Sequence, residues 1–165
     1  MELSSPIVNC LKISSKRGYI LIDPDASEDA KIIILSDGSD QNITQTDDNL
    51  VIFGPGDYEA SGILIKGSRP ENDTIYSIDT SEGRALIASS NSISKLTDED
   101  EYDVVVVKAV TSVDEAALAA LSSKLVVVYG SEDFIPETLK EKRVAKVNLK
   151  KREEIEGNVV YLEKK

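Results

Sequence analysis

Apolar positions in this chain come in short blocks separated by polar punctuation. Residues 7–13 alternate imperfectly between apolar and polar, residues 14–18 are polar and end in Gly18, and Tyr19-Ile20-Leu21-Ile22 is apolar again. That order predicts a hairpin of two strands, 7–13 and 19–22. Asp23-Pro24 ends the second strand, because proline has no N–H for a ladder and restricts the residue before it. Ile32-Ile33-Ile34-Leu35 is a continuous apolar run that stops abruptly at Ser36-Asp37-Gly38-Ser39-Asp40-Gln41-Asn42. The run predicts a buried strand, and the polar tail is the loop at its C-terminal end, the usual seat of chemistry on an α/β scaffold. Residues 36–49 are almost wholly polar and read as loop with one helical turn. Leu50-Val51-Ile52-Phe53 then resumes β character and enters Gly54-Pro55-Gly56-Asp57, whose proline and second glycine suit a type II turn. Strands follow at 58–61, 63–66, 74–78 and 84–88, the last two joined across Thr80-Ser81-Glu82-Gly83.

The second half changes rhythm to strands alternating with helices. Thr97-Asp98-Glu99-Asp100 has the cap and acidic first turn of a helix start, and Val104-Val105-Val106-Val107 reads as a strand buried on both faces. Ser112-Val113-Asp114-Glu115 fits a capping box, with Val113, Ala117 and Leu121 on one helix face ending near Ser122. Leu125-Val126-Val127-Val128 is another buried strand, followed by a helix over 136–142 and strands at 144–149 and 158–162. Strands first and then strands with helices imply two sheets packed face to face with helices outside. The charged run 150–154 reads as a solvated turn of helix.

Composition narrows the functional classes. At 165 residues the chain is read as one domain, 1–165, large enough to bury a core without metal or disulfides. Nineteen basic and thirty acidic residues give a net charge of −11, which repels nucleic acid and anionic lipid. The single cysteine, Cys10, lies in an apolar segment with no histidine to activate it and reads as a small buried hydrophobe. The N-terminus lacks a signal-peptide pattern, and no apolar run nears the roughly 20 residues of a membrane helix. A cytoplasmic location is expected.

The order of these segments, with Asp23-Pro24, the Ile32 strand and Pro55-Gly56-Asp57-Tyr58-Glu59, resembles the metallo-β-lactamase superfamily along nearly the whole chain. The likeness is to its small branch, the L-ascorbate-6-phosphate lactonases, where Pro-Gly-Glu-Tyr-Glu recurs. The resemblance implies an α+β, four-layer αββα sandwich of minimal size. It also implies a dinuclear metal motif, His-x-His-x-Asp-His, after the central strand. This chain offers Ser36, Gly38, Asp40 and Gln41 there, and it contains no histidine at all. The family's His-Leu-Gly-Asp-Leu aligns with residues 88–92, so its histidine becomes Ala88 and its bridging aspartate Asn91. Where a later histidine stands, the chain reads Tyr129-Gly130-Ser131, with Gly130 at the ligand position. Imidazoles and a bridging carboxylate are what hold zinc and acidify its water to a pKa of about 7.

The sequence reading is therefore of a pseudoenzyme that has lost its metal site, uses no cofactor, and serves as a binding or assembly module for a protein partner or small ligand. Nucleic acid and membrane are not expected partners, and a homo-oligomer is a third, structural reading. The competing reading is a divergent hydrolase of phosphorylated lactones or phosphodiesters. It would use a Mg²⁺-type or metal-free site around Asp37, Asp40 and Asn91. Against it, Asp37, Ser39 and Asp40 are ordinary turn and cap residues. A serine among Ser89, Ser90, Ser92 and Ser94 activated by Lys95 or Lys108, and an Asp57/Glu59 acid–base pair, complete the alternatives. The motif Gly54, Pro55, Gly56, Asp57, Tyr58 and Glu59 reads as structural, and no glycine spacing matches a nucleotide-binding loop.

Overall fold

The computed structural model describes residues 1–26, 30–36, 43, 46–97, 99–121, 125–155 and 158–165. Its first sheet contains β1 (Glu2–Ser4), β2 (Leu11–Ser15), β3 (Gly18–Ile22), β4 (Ile32–Ile34) and β5 (Leu50–Ile52). The second begins with β6 (Gly56–Ala60), β7 (Ile63–Ser68), β8 (Ile75–Thr80) and β9 (Gly83–Ser89), and continues with β10 (Val104–Ala109) and β11 (Val126–Gly130). Next in the chain come β12 (Arg143–Val144), β13 (Lys146–Asn148) and β14 (Val159–Leu162). The strand orders are β13-β1-β2-β3-β4-β5 and β12-β14-β11-β10-β9-β8-β7-β6. In the first sheet β3, β4 and β5 run parallel; in the second the same is true of β9, β10, β11, β14 and β12. The result is an α+β sandwich with short helices.

Period-two alternation places the core. Val104 and Val106 of β10 face the first sheet with Ile22, Ile34, Ile87, Val127 and Tyr129. Val105 and Val107 face the other way, under Leu118, Ile135 and Leu139 from the helical layer. Each valine is buried, so the four-valine run satisfies both faces of one strand. The outer face of the first sheet, with Leu21, Ile33 and Val51, packs on Cys10, Ala30, Leu35 and Ile43.

Several elements differ from their sequence reading. The first hairpin strand starts only at Leu11, because Asn9 adopts φ +66° and Cys10 N donates to Ile7 O in a turn. The strand missed upstream, β1, is three residues long, too short to show a period. The helix after Ser112 is α1 (Glu115–Ala119), and its cap is Asp114, whose side chain accepts from Ala116 N at 2.9 Å. Near Pro136 there is only α2 (Glu137–Lys140). A 3₁₀ turn, Glu99–Glu101, stands where a helix was read after Thr97. Gly56 has φ +151° and already begins β6, so residues 54–57 are not the type II turn their composition suggests, which needs φ of about +80° at that glycine.

The strand read at 144–149 is two strands in different sheets. Arg143–Val144 joins β14 and Lys146–Asn148 joins β1, with Ala145 alone between them. On the opposite side, β5 and β6 are the edge strands of the two sheets and only residues 53–55 connect them.

Candidate functional site

Three residues line up across the C-terminal ends of the parallel strands of the second sheet. Ser89 pairs with Lys108, and Lys108 with Tyr129. Partners in a parallel register share a face, and Tyr129 belongs to the core between the sheets, so this row looks toward the first sheet. Their neighbours Ala88, Val107 and Val128 form the other row and pack in the outer core.

The first sheet answers with Asp23 and Ser36, which follow β3 and β4. Asp23 holds a left-handed backbone, φ +52°, unusual for a residue with a Cβ. Its N–H donates to Ile34 O at 2.9 Å, which ties it to the end of β4. Its carboxylate accepts from Ser36 N at 2.6 Å, from Ser36 Oγ at 2.6 Å and from Lys108 Nζ at 2.7 Å. The Lys108 and Asp23 side chains are only 13% and 12% exposed. A charge-assisted pair that close and that sheltered from water is held far more firmly than a surface ion pair.

Beside this pair lies a cleft of about 410 Å³, lined by Ser36, Ala88, Asn91, Lys108 and Tyr129 together with Arg69, Asp73 and Thr74. Asp73 Oδ2 accepts from Ser89 Oγ at 2.7 Å and Ser92 Oγ at 3.0 Å. Arg69 Nε donates to Thr74 Oγ1 at 3.0 Å. Tyr129 is fully buried, and its hydroxyl has no hydrogen-bond partner among the described residues. Burial pushes its phenol well above the usual range, helped by the nearby Asp23 carboxylate and by Cys10.

Of the residues singled out from sequence, Ser36, Ala88 and Asn91 border this one cleft. Ala88 does so while packing in the outer core, and Asn91 Oδ1 accepts from Thr111 Oγ1 at 2.9 Å. Gly130 ends β11 at φ +128°, where a Cβ would stand 2.9 Å from Ala109 O. Asp37, Gly38, Asp40 and Gln41 lie outside the described residues. Asp57 and Glu59 alternate outward on β6 and are exposed, which removes them as an acid–base pair in the cleft. Lys95 pairs with Glu71 at 2.7 Å. Ser89 donates to Asp73 and Lys108 to Asp23, so neither works as half of a Ser–Lys pair.

The motif at residues 54–59 is built for shape. Tyr76 OH donates to Gly54 O at 3.2 Å and accepts from Gly54 N at 3.1 Å. Tyr58 OH donates to Pro55 O at 3.2 Å. Burial raises the Tyr76 phenol, only partly offset by its bond to Gly54. Sequence reasoning passed over Asp23, Asp73, Arg69 and Tyr129. The usable signal was Lys108, a lone charge ending a buried valine run.

The described residues around the cleft do not fit the metal that the fold implies. Zinc is borderline-soft and wants thiolate, imidazole and carboxylate. At those aligned positions that are described and line it, the cleft offers a hydroxyl, a methyl and an amide, and the neighbouring Asp23 carboxylate is already held by an ammonium. Among the described residues, no three His, Cys, Asp or Glu side chains are grouped to hold a metal ion.

This architecture is the metallo-β-lactamase fold. The chain is similar in structure to a metallo-β-lactamase superfamily protein of Thermotoga maritima, with 15% identity, TM-score 0.62 and 98% of each chain covered. It is likewise similar to an isothiocyanate hydrolase from Delia radicum gut bacteria, with 12% identity, TM-score 0.60, and 98% of this chain and 95% of that one covered. A metallo-hydrolase from the archaeon Ignicoccus hospitalis matches at 11% identity and TM-score 0.56, covering 97% and 93%. No family model and no curated protein matches the sequence. No helix among the described residues is long and apolar enough to cross a membrane.

Proposed function

We propose that this chain is a metal-free member of the metallo-β-lactamase superfamily, akin to its small lactonase-like branch, in which the former hydrolytic cleft serves as a binding site. The observation that carries the reading is Lys108, which lines the cleft and whose ammonium lies 2.7 Å from the Asp23 carboxylate. A fixed cation there supplies the positive charge that joins the two sheets' strand ends, and it repels a divalent ion from the same space. An ammonium cannot act as a Lewis acid or ionise a water as zinc does, so the cleft retains shape and polarity without the hydrolytic nucleophile.

The test is elemental analysis of purified protein combined with melting curves in EDTA and in added zinc. The expected result is substoichiometric metal and a melting temperature that neither addition changes. Stoichiometric zinc, manganese or iron whose removal lowers the melting temperature overturns the reading.

A further inference from the structure

The second sheet ends on one side at β6, an edge strand paired only with β7. Ser61 and Gly62, at φ +55° and +72°, make the two-residue turn between them, and two left-handed residues in succession are the mark of a type I′ hairpin. In such a hairpin the closing pair, Ala60 and Ile63, exchanges both backbone bonds, and bonded and non-bonded pairs alternate from there. Asp57 and Glu59, opposite Lys66 and Leu64, are therefore non-bonded positions. Their N–H and C=O groups point away from β7, out of the edge of the sheet. β6 pairs residue for residue with β7, without a bulge, and holds no proline, so two common devices that blunt an edge are missing. Apolar surface adjoins it. Leu64 is 53% exposed, and Phe53, in the crossover that leads into β6, is 64% exposed. Tyr58 and Ala60 turn the other way and pack against the core between the sheets.

We propose that β6 is a docking edge for an extended segment of another protein, with lysine or arginine at alternate positions and apolar residues between them, added as a further strand of the second sheet. In strand addition the main chain supplies the hydrogen bonds and the side chains on the two faces supply selectivity. On the outer face the new strand meets Asp57 and Glu59, both exposed and neither bonded through its side chain among the described residues. Two carboxylates two residues apart, on a chain of net charge −11, match basic residues that recur with the same period. On the inner face, apolar residues meet the half-buried Tyr58 and Ala60. A second copy of this chain is the poorer occupant. An antiparallel β6 pair centred on Tyr58 sets each Asp57 opposite a Glu59, and like charges directly opposite are destabilising. No β6 residue lines the cleft, so this edge and the metal-free reading stand or fall separately.

The experiment titrates isotope-labelled protein with the end-capped peptide Lys-Val-Lys-Val-Lys-Val-Lys and follows amide NMR signals and hydrogen exchange. Its comparisons are Glu-Val-Glu-Val-Glu-Val-Glu, the block sequence Lys-Lys-Lys-Lys-Val-Val-Val, and the alternating lysine peptide with every backbone nitrogen methylated. The alternating lysine peptide is expected to bind and to slow exchange of the Asp57 and Glu59 amides by about tenfold or more. The glutamate and block peptides are expected to bind about fivefold or more weakly, and the methylated peptide about tenfold or more weakly. Asp57→Asn combined with Glu59→Gln is expected to weaken the lysine peptide by about fivefold. Both positions are exposed, so the variant folds.

No binding of the lysine peptide, slowed exchange at other amides only, equal affinity for the block or methylated peptide, or unchanged affinity in the double variant overturns the proposal. Protection of the same two amides that grows with protein concentration, without peptide, overturns the choice of occupant in favour of a second copy.

Discussion

Lys108 and Asp23, 85 residues apart in the chain, meet at 2.7 Å between the two sheets. The pair joins the end of β10 to the end of β3 and is sheltered enough that losing one partner strands the other charge. Lys108→Met is expected to destabilise the protein by about 2–4 kcal/mol, near the lower end for a buried pair because cleft water reaches both groups. Asp23→Asn combined with Lys108→Met is expected to recover most of that loss, because asparagine tolerates the left-handed backbone and still accepts from Ser36. Urea titration of both variants checks it, and a double variant as unstable as the single one contradicts it.

Gly130 stands where the resemblance puts a histidine, yet no side chain fits there without movement. Its φ is +128°, and any Cβ at this position would lie 2.9 Å from Ala109 O. Gly130→Ala is therefore expected to cost about 2–4 kcal/mol from backbone strain and overlap together. Gly18→Ala is the control. It has a similar φ of +126°, but its nearest atom is 3.6 Å away, so it is expected to show strain alone, about 1–3 kcal/mol. Comparing the two denaturation midpoints separates steric overlap from conformation.

Glu82 titrates below the ordinary carboxylate range. The chief cause is the Lys16 N–H, which donates to it at 2.7 Å; desolvation opposes this, and the N-terminal ammonium and Lys150 add to the lowering. A lowered folded pKa means that the unfolded chain takes up the proton first in acid. The stabilisation is therefore present above the ordinary carboxylate pKa and is lost as pH falls through the folded value. Glu82→Gln is expected to melt below the wild type at neutral pH, with the gap closing on acidification. Melting curves across that range check the convergence.

Three of the six tyrosines, Tyr76, Tyr129 and Tyr161, have phenols raised chiefly by burial. Here the sign reverses. Their stabilising contribution is complete below the unfolded phenol pKa, about 10, and drains away as pH rises because the unfolded chain releases the protons first. Absorbance titration near 295 nm is expected to show an early group of phenols and a late group that appears together with loss of folded circular dichroism.

Much of the sandwich was legible because buried strands write themselves as apolar runs: the isoleucines of β4 and the valines of β10 and β11 needed no tertiary knowledge. The helical layer was overstated, since α1 and α2 are single turns whose burial comes from Leu118 and Leu139 rather than from a long amphipathic face. The absence of histidine was plain from the sequence alone. The ion pair across the strand ends was hidden, because Asp23 and Lys108 are made neighbours only by the packing of one sheet on the other. Asp23 looked like punctuation before a proline, and Tyr129 like one more core residue.

The sheets cross over to one another through Ala145 at one edge and residues 53–55 at the other, where Gly54 is held twice by Tyr76. A sandwich laced along both sides resists sliding and resists gaping. The ends of β3 and β10, where Asp23 meets Lys108, are therefore kept at a set spacing by chain connections at both edges as well as by the packing between them.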